Sequence, residues 1–170
     1  GTTFVNCRAT DVAGNTNQCI FTVRVIDSER PTVSCPTNMV VNCDIDRCDA
    51  QVNFSVSAAD NCGAVPVLCT PASGSRFDVG VTPVTCSATD GGGNVGTCAF
   101  TITVRDNQNP VLQCPVNITS NAVIGRCDAP VTFSVTATDN CGAVGASCFP
   151  PSGSFFAVGS TIVNCSATDP

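Results

Sequence analysis

The feature that most constrains this 170-residue chain is a repeat with a period of 79 residues that includes its cysteines. Pro31 recurs as Pro110, and five cysteines recur one period later: Cys35 as Cys114, Cys48 as Cys127, Cys62 as Cys141, Cys69 as Cys148 and Cys86 as Cys165. Counting backwards, Cys86 and Cys98 match Cys7 and Cys19. Similarity at a fixed period is typical of a tandem array, in which one unit was copied and stacked.

The period divides the chain into three segments. We predict that residues 1–29 hold the last two strands of a preceding repeat, that residues 30–108 form a complete repeat, and that residues 109–170 form a repeat without its last strand. Residues 1–11 return in similar form as residues 159–169. We therefore expect either an excerpt from a longer protein or one repeating segment of a polymer.

The cysteine content predicts a disulfide scaffold. Fourteen cysteines in 170 residues approach the density that marks small secreted domains. Zinc is disfavoured because the chain has no His and no C-x-x-C pair. We expect oxidised bridges, and hence a secreted or cell-surface protein.

Composition also argues against several functions. The net charge is −6, with seven Arg, no Lys and thirteen acidic residues, whereas a nucleic-acid surface would be basic. No apolar run approaches the ~20 residues of a membrane span. Without His, Lys or Tyr there are few candidates for a general base, so we do not expect an enzyme.

Hydrophobic periodicity predicts an all-β fold. Apolar residues alternate with Asn, Ser and Thr over Val52–Ala58, Val84–Ala88 and Phe100–Val104, which is the pattern of half-buried strands. The turn at Asp90–Asn94 should join the last two strands as a hairpin. About seven short strands per repeat favour a β-sandwich, and short Pro-containing linkers favour a rod.

The combined motif resembles the hyalin repeat, or HYR, domain family. The resemblance rests on these elements of the complete repeat: Cys35-Pro36 and Asn38, Val52-x-Phe54, Ala59-Asp60-Asn61, Ser73-Gly74-x-x-Phe77-x-Val79-Gly80, Val84-x-Cys86-x-Ala88-x-Asp90, Gly93-Asn94 and Cys98-x-Phe100-x-Ile102-x-Val104-x-Asp106. It covers essentially the whole chain. The resemblance implies an extracellular, non-enzymatic, immunoglobulin-like sandwich arrayed in tandem in proteins of adhesion and extracellular matrices.

The resemblance also frames the disulfide predictions. It implies cysteines at positions 35, 48, 62 and 98, so Cys69 and Cys86 are additions that most simply pair with each other. Two alternatives stay open for the rest: Cys35 with Cys98 and Cys48 with Cys62, or Cys35 with Cys48 and Cys62 with Cys98. In the next repeat, Cys114, Cys127, Cys141 and Cys148 should enter equivalent bridges. Cys43, whose counterpart is Ala122, is expected to be unpaired or to tie the chain to another.

Other candidate sites are weaker patterns. Asn53, Asn117 and Asn164 begin N-glycosylation sequons. The linker residues Asp106, Asn107 and Asn109 are candidate calcium ligands because calcium prefers carboxylate and amide oxygens. The alternative is that they simply form turns. No other cofactor is predicted.

These observations favour a structural segment of a secreted tandem-repeat protein, with like subunits or further repeats of the same chain as partners. Head-to-tail completion of one repeat by a strand of the next is one expected mode of contact. The alternative is an adhesion ectodomain that recognises a protein or a glycan through its sandwich loops.

Overall fold

The computed structural model describes residues 1–169. Among these residues there are sixteen strands and no helix. The strands, in chain order, are β1 Thr2–Thr10, β2 Thr16–Arg24, β3 Thr32–Ser34, β4 Met39–Asn42, β5 Asp49–Gln51, β6 Ser57–Ala59, β7 Val67–Thr70, β8 Arg76–Asp78, β9 Gly80–Thr89, β10 Val95–Arg105, β11 Val111–Gln113, β12 Asp128–Pro130, β13 Thr136–Thr138, β14 Ala146–Phe149, β15 Phe155–Ala157 and β16 Asn164–Ala167.

The strands repeat with the same 79-residue stride as the sequence. β3, β5, β6, β7 and β8 return at equivalent positions as β11, β12, β13, β14 and β15, and they pair in the same way. Thus β3 pairs with β6 as β11 pairs with β13, and β5 pairs with β8 as β12 pairs with β15, all antiparallel. The prediction of an all-β fold made of tandem immunoglobulin-like sandwiches is confirmed.

The chain forms two compact units that interleave along the sequence. The first contains Gly1–Asn38, Asn53–Gly74 and Pro83–Thr101, and the second contains Met39–Val52, Ser75–Thr82 and the described chain from Ile102 onwards. Because these units do not follow the repeat boundaries, the predicted limits at residues 29/30 and 108/109 stay predictions.

In the first unit, β1 and β2 form a long hairpin with Cys7 opposite Cys19, and β7 pairs antiparallel with β9, which places Cys69 opposite Cys86. The buried residues of this unit include Val84, Cys86 and Phe100. The rings of Phe54 and Phe100 meet edge to face with centroids 5.0 Å apart, a favourable aromatic geometry.

In the second unit, the end of β10 pairs in parallel with β4, so that Ile102 lies opposite Met39 and Val104 opposite Val41. Ile102 and Val104 are buried, as are Ala50, Val52, Phe77 and Ala129. Among these, Val52, Ile102 and Val104 are positions that the period-two pattern placed on one strand face, as the alternating side-chain directions of a strand require.

One predicted strand is wrong in extent. The pattern over Val52–Ala58 predicts a continuous strand, but the strand there is β6, which begins only at Ser57. Ahead of it, the Ser73 hydroxyl accepts a hydrogen bond from the Phe54 N–H and donates one to the Phe54 carbonyl, at 2.8 and 2.7 Å. The Ser73 side chain therefore satisfies the Phe54 backbone groups that a neighbouring strand would otherwise pair with.

Candidate functional site: a disulfide between successive repeats

Four disulfides organise the chain, and one of them joins residues of successive repeats. Two pairs close loops of the same size one period apart, Cys69 with Cys86 and Cys148 with Cys165. A third joins Cys35 to Cys98. The fourth joins Cys48 to Cys141 across 93 residues of sequence, and both of these residues lie in the second compact unit.

The pairing of Cys48 differs from both alternatives left open by the sequence. Those alternatives joined Cys48 to Cys62 or to Cys35, within one repeat. In the structure Cys35 pairs with Cys98, Cys48 pairs with Cys141 of the next repeat, and Cys62 is free. The physical reason is proximity: Cys48 and Cys141 have Cα atoms 4.6 Å apart, within the range that a disulfide can span.

The remaining six cysteines are unbridged. Cys43 is buried, and the other five are exposed: Cys7, Cys19, Cys62, Cys114 and Cys127. Of the cysteines predicted to form bridges, Cys62, Cys114 and Cys127 therefore have no partner within the described chain.

A polar network surrounds the Cys48–Cys141 bridge. The amide of Asn140 donates hydrogen bonds to Asp106 Oδ1 at 3.2 Å, to the Arg47 carbonyl at 2.9 Å and to Cys141 Sγ at 3.2 Å. Asn140 thus ties the loop that carries Cys141 to the residue before Cys48. We call Cys43, Cys48, Asp106, Asn140 and Cys141 the junction site.

The buried Cys43 thiol belongs to this network. Its Sγ donates to Asp106 Oδ1 at 3.3 Å and receives a hydrogen bond from the Gln108 amide at 3.2 Å. The backbone N–H of Gln108 also donates to Asp106 Oδ1, and this bond, followed by those from Asn140 and Cys43, holds the pKa of the Asp106 carboxyl below its usual range against the opposing effect of burial. Asp106 is therefore a charged anchor of the junction site.

Cys141 lies in a tight turn that begins at Asp139. Asp139 Oδ2 accepts a hydrogen bond from the Cys141 N–H at 2.8 Å, which is an Asx turn. The other oxygen, Asp139 Oδ1, is buried without a hydrogen-bond partner. Nearby, burial together with the charges of Asp139 and Asp106 raises the pKa of Asp169.

The residue on the other side of the bridge is held by an ion-pair cluster. Arg47 and Arg76 both bind the carboxylate of Asp49 with N–O distances of 2.7 and 2.6 Å, and Arg76 also reaches Asp44 at 2.7 Å. Hydrogen bonds from Arg76 and then from Arg47 lower the pKa of Asp49 well below its usual range. Cys48 lies between Arg47 and Asp49, and its carbonyl accepts from the Val79 N–H at 3.1 Å.

The same local structure occurs one period earlier, in the first compact unit, but without a bridge. Asp60 Oδ2 accepts from the Cys62 N–H at 2.9 Å, and Asp60 Oδ1 is again buried and unpartnered. Asn61, the counterpart of Asn140, donates to Glu29 at 2.7 Å. A hydrogen bond to Asp27, then burial and the charges of Asp27, Asp60 and Asp90, raise the pKa of the Cys62 thiol.

Two clusters combine carboxylate groups with a cysteine sulfur at distances that a metal ion could span. Asp106 lies with Asp139 and Cys141, and Asp27 lies with Asp60 and Cys62, their ligand atoms within 4.8 Å of one another. In both groups one carboxylate oxygen already serves the Asx turn. Calcium binding by Asp106, Asn107 and Asn109 stays a prediction, which a calcium titration followed by thermal unfolding would test.

The three sequon asparagines, Asn53, Asn117 and Asn164, have exposed side chains, as glycosylation requires. Glycosylation at them stays a prediction. No helix in the described residues is long and apolar enough to cross a membrane.

The period, the all-strand architecture and the disulfides define a class of tandem, disulfide-bonded β-repeat proteins. Models of the HYR domain match residues 26–104 and 105–170, and the chain belongs to the HYR-domain family. The bridged cysteines Cys48 and Cys141 fall in the two different matched segments. The resemblance found in the sequence is thus confirmed.

Two hyalins are among the relatives of this chain. It is 37% identical to hyalin of Lytechinus variegatus over 99% of its own length and 34% of that relative, and 33% identical to hyalin of Strongylocentrotus purpuratus over 79% of its length and 12% of that relative. It is also 33% identical to a sushi, von Willebrand factor type A, EGF and pentraxin domain-containing protein of Rattus norvegicus, over 85% of its length and 4% of that relative. The chain thus spans about a third or less of these relatives.

Proposed function

We propose that this chain is a non-enzymatic structural segment of an extracellular tandem-repeat protein, in which disulfides within and between HYR repeats hold a rod or filament together. The observation that carries the proposal is the Cys48–Cys141 bridge, which joins two successive HYR segments covalently. Structural disulfides persist in oxidising compartments, which supports secretion or display at the cell surface.

A bridge between repeats has a mechanical consequence. In an array held only by its backbone, tension would extend each repeat in turn, whereas a covalent link across 93 residues keeps the enclosed chain from extending. The ion pairs of Arg47 and Arg76 with Asp49, together with the Asn140 hydrogen bonds, hold both ends of the link in position. Resistance to extension is the activity that this geometry supports.

Strand completion is the mode of contact that we propose between repeats. In the complete repeat, β10 pairs with β4. The equivalent of β4 in the next repeat, residues 118–121, is not in a strand. Ile118 instead lines an open cavity of about 550 Å³ with Ala129, Phe133, Phe156 and Val163. A last strand like β10, from a further repeat segment or a like subunit, would fill it.

Force spectroscopy of the chain, stretched from its two ends under oxidising conditions, tests the structural proposal. Replacing both Cys48 and Cys141 by Ser should lengthen the fully extended chain by about 10 nm, because the shortest covalent path then crosses Cys35–Cys98 and runs through roughly 30 more residues at ~3.5 Å each. The matched control, Cys7→Ser, should extend as the parent does. Equal extension of parent and double variant would show that the bridge is not the element that resists force.

A further inference from the structure

Five of the six unbridged cysteines occupy positions whose equivalents, one period away, are bridged. Two of them correspond to the ends of the bridge between repeats: Cys62 is the counterpart of Cys141, and Cys127 is the counterpart of Cys48. Both side chains are exposed. The first repeat thus carries a free counterpart of Cys141, and the second repeat carries a free counterpart of Cys48.

The backbone around Cys62 already has the conformation found at the bridged cysteine. The Asx turn from Asp60 to the Cys62 N–H measures 2.9 Å, against 2.8 Å for Asp139 and Cys141. In both turns the second carboxylate oxygen of the aspartate is buried without a partner. This turn therefore forms whether or not its cysteine is bridged.

The surroundings of Cys127 likewise match those of Cys48. Its carbonyl accepts from the Val158 N–H at 2.9 Å, as the Cys48 carbonyl accepts from Val79 at 3.1 Å. Arg126 binds Asp128 with two hydrogen bonds of 2.6 and 2.9 Å, and Arg47 binds Asp49 in the same two-pronged way. The Arg–Asp pair that flanks the thiol and the hydrogen bond to its carbonyl are therefore the same in both repeats. The second arginine differs: Phe155, over whose ring Arg126 lies at 4.7 Å, stands where Arg76 binds Asp49.

We propose that Cys62 and Cys127 are the two halves of further bridges of the Cys48–Cys141 type, so that each HYR repeat is joined to the next by one disulfide. Cys127 takes the cysteine of an Asp-Asn-Cys-Gly turn in another HYR repeat, and Cys62 takes the cysteine of an Arg-Cys-Asp segment. This inference rests on the proposed structural function. The partner repeat is either another part of the same polypeptide or a second copy of this chain.

Forming each bridge removes two protons and two electrons from a pair of thiols, and the oxidant is a low-molecular-weight disulfide such as oxidised glutathione. A protein thiolate attacks the small disulfide and releases one small thiol, leaving a mixed disulfide. The second protein thiolate attacks the protein sulfur of that mixed disulfide and displaces the second small thiol. The hydrogen bond to Asp27, then burial and the nearby carboxylates, raise the pKa of the Cys62 thiol, which lowers its thiolate fraction and slows its exchange with small disulfides.

The test uses the 170-residue chain in a glutathione redox buffer, followed by non-reducing electrophoresis and mass spectrometry of unreduced peptides. If a second copy can serve as partner, a ladder of covalent oligomers appears, with Cys62 of one copy linked to Cys127 of another. Cys62→Ser or Cys127→Ser alone should reduce all oligomers, dimers included, by about tenfold. A mixture of the two variants should stop at dimers, because each carries only one half of the bridge. Cys7→Ser, which removes another exposed cysteine, should leave the ladder unchanged.

A second experiment tests whether the partner repeat belongs to the same polypeptide. It uses the native protein, digested without reduction. A peptide containing Cys127 linked to an Asp-Asn-Cys-Gly peptide, from protein that runs as a monomer under denaturing non-reducing conditions, supports that source. Full alkylation of Cys62 and Cys127 in both experiments, or their linkage to other kinds of cysteine, overturns the proposal. The Cys48–Cys141 peptide separates the two hypotheses: its presence beside alkylated Cys62 and Cys127 rejects only the repeated bridge, and its absence rejects the proposed function as well.

Discussion

The hairpin of β1 and β2 and the hairpin made by the end of β9 and the start of β10 have equivalent sequences in different surroundings. Both turn through an Asp-x-x-Gly-Asn loop, and in both the first Asp accepts a hydrogen bond from the Asn side chain, at 2.8 Å for Asp11 and 2.9 Å for Asp90. Their apolar positions differ completely in exposure. Phe21 is 50% and Val25 71% exposed, against 5% and 2% for their counterparts Phe100 and Val104.

This difference shows what a hairpin needs beyond its own hydrogen bonds. The backbone ladder and the turn form equally in both places, because they depend on local sequence. The apolar face is buried only where the other strands of a repeat lie against it. A two-stranded hairpin is at best marginally stable alone, so we expect the first hairpin to depend on a partner surface and the second to contribute to the core of its unit.

The largest contrast should come from removing the aromatic ring at equivalent positions. Phe100→Ala leaves a cavity beside Phe54, so we expect the free energy of unfolding to fall by roughly 3–5 kcal/mol. Phe21→Ala, the same substitution one period away, should change it by less than about 1 kcal/mol. Urea unfolding of the oxidised chain, followed by circular dichroism, measures both. Similar losses for the two variants would mean that the first hairpin is also packed in a core.

The second contrast concerns two cysteines at equivalent positions, Cys86 in β9 and Cys7 in β1. Cys86 is buried and bridged to Cys69, and its counterpart Cys7 is exposed and free. By the loop-entropy argument, Cys86→Ser should lower the free energy of unfolding by about 3 kcal/mol, and Cys7→Ser should leave it nearly unchanged. Thermal unfolding of the unreduced proteins measures the difference. If reduction abolished the difference in melting temperature between the two variants, the Cys69–Cys86 bridge itself would be its cause.

The sequence predicted the features that alternate along a strand or recur along the chain. It predicted the all-β fold and the HYR resemblance because side-chain direction and turn chemistry are local properties. It did not predict the pairing of Cys48 with Cys141, since every partner expected for Cys48 lay in its own repeat. Residues 93 apart become neighbours only through the fold, and no spacing rule reveals that. The irregular segment before β6 was missed because the Ser73 side chain satisfies the Phe54 backbone, which no alternation of apolar residues predicts.

The junction network was also missed, although its signal was present. Asp27, Asp60 and Cys62 recur as Asp106, Asp139 and Cys141, and the structure brings each trio together. Recurrence alone could not distinguish turn-forming aspartates from a cluster, because Asx turns need the same residues. The two trios still differ in outcome, one beside a bridge and one beside a free thiol. The loops therefore behave as the hairpins do. The Asx turn forms at both cysteines, and only the one that meets a partner cysteine is bridged.

The smallest contrast is in the response to acid of the two turns. The Asn94 side chain first, and then the backbone N–H groups of Asn94, Gly92 and Gly93, lower the pKa of Asp90 below its ordinary value despite burial. A carboxyl whose pKa is lower in the folded state contributes stability above its unfolded pKa of about 3.9 and loses it as the pH falls from there through the lower folded pKa. We therefore expect the urea midpoint of the parent to begin to fall near about pH 5 and to go on falling below about pH 3, and Asp90→Asn to lower the midpoint at pH 7 and flatten that fall.

Asp11→Asn is the matched control for this last effect. The pKa of Asp11 is also lowered, chiefly by Asn15, but the turn is exposed and its hairpin has an uncovered apolar face. If that hairpin opens before the rest of the chain unfolds, Asp11→Asn will leave the main midpoint and its pH dependence unchanged. A shift of the main transition by Asp11→Asn as large as that by Asp90→Asn would show that the two hairpins unfold together, which would contradict the difference in burial from which the comparison began.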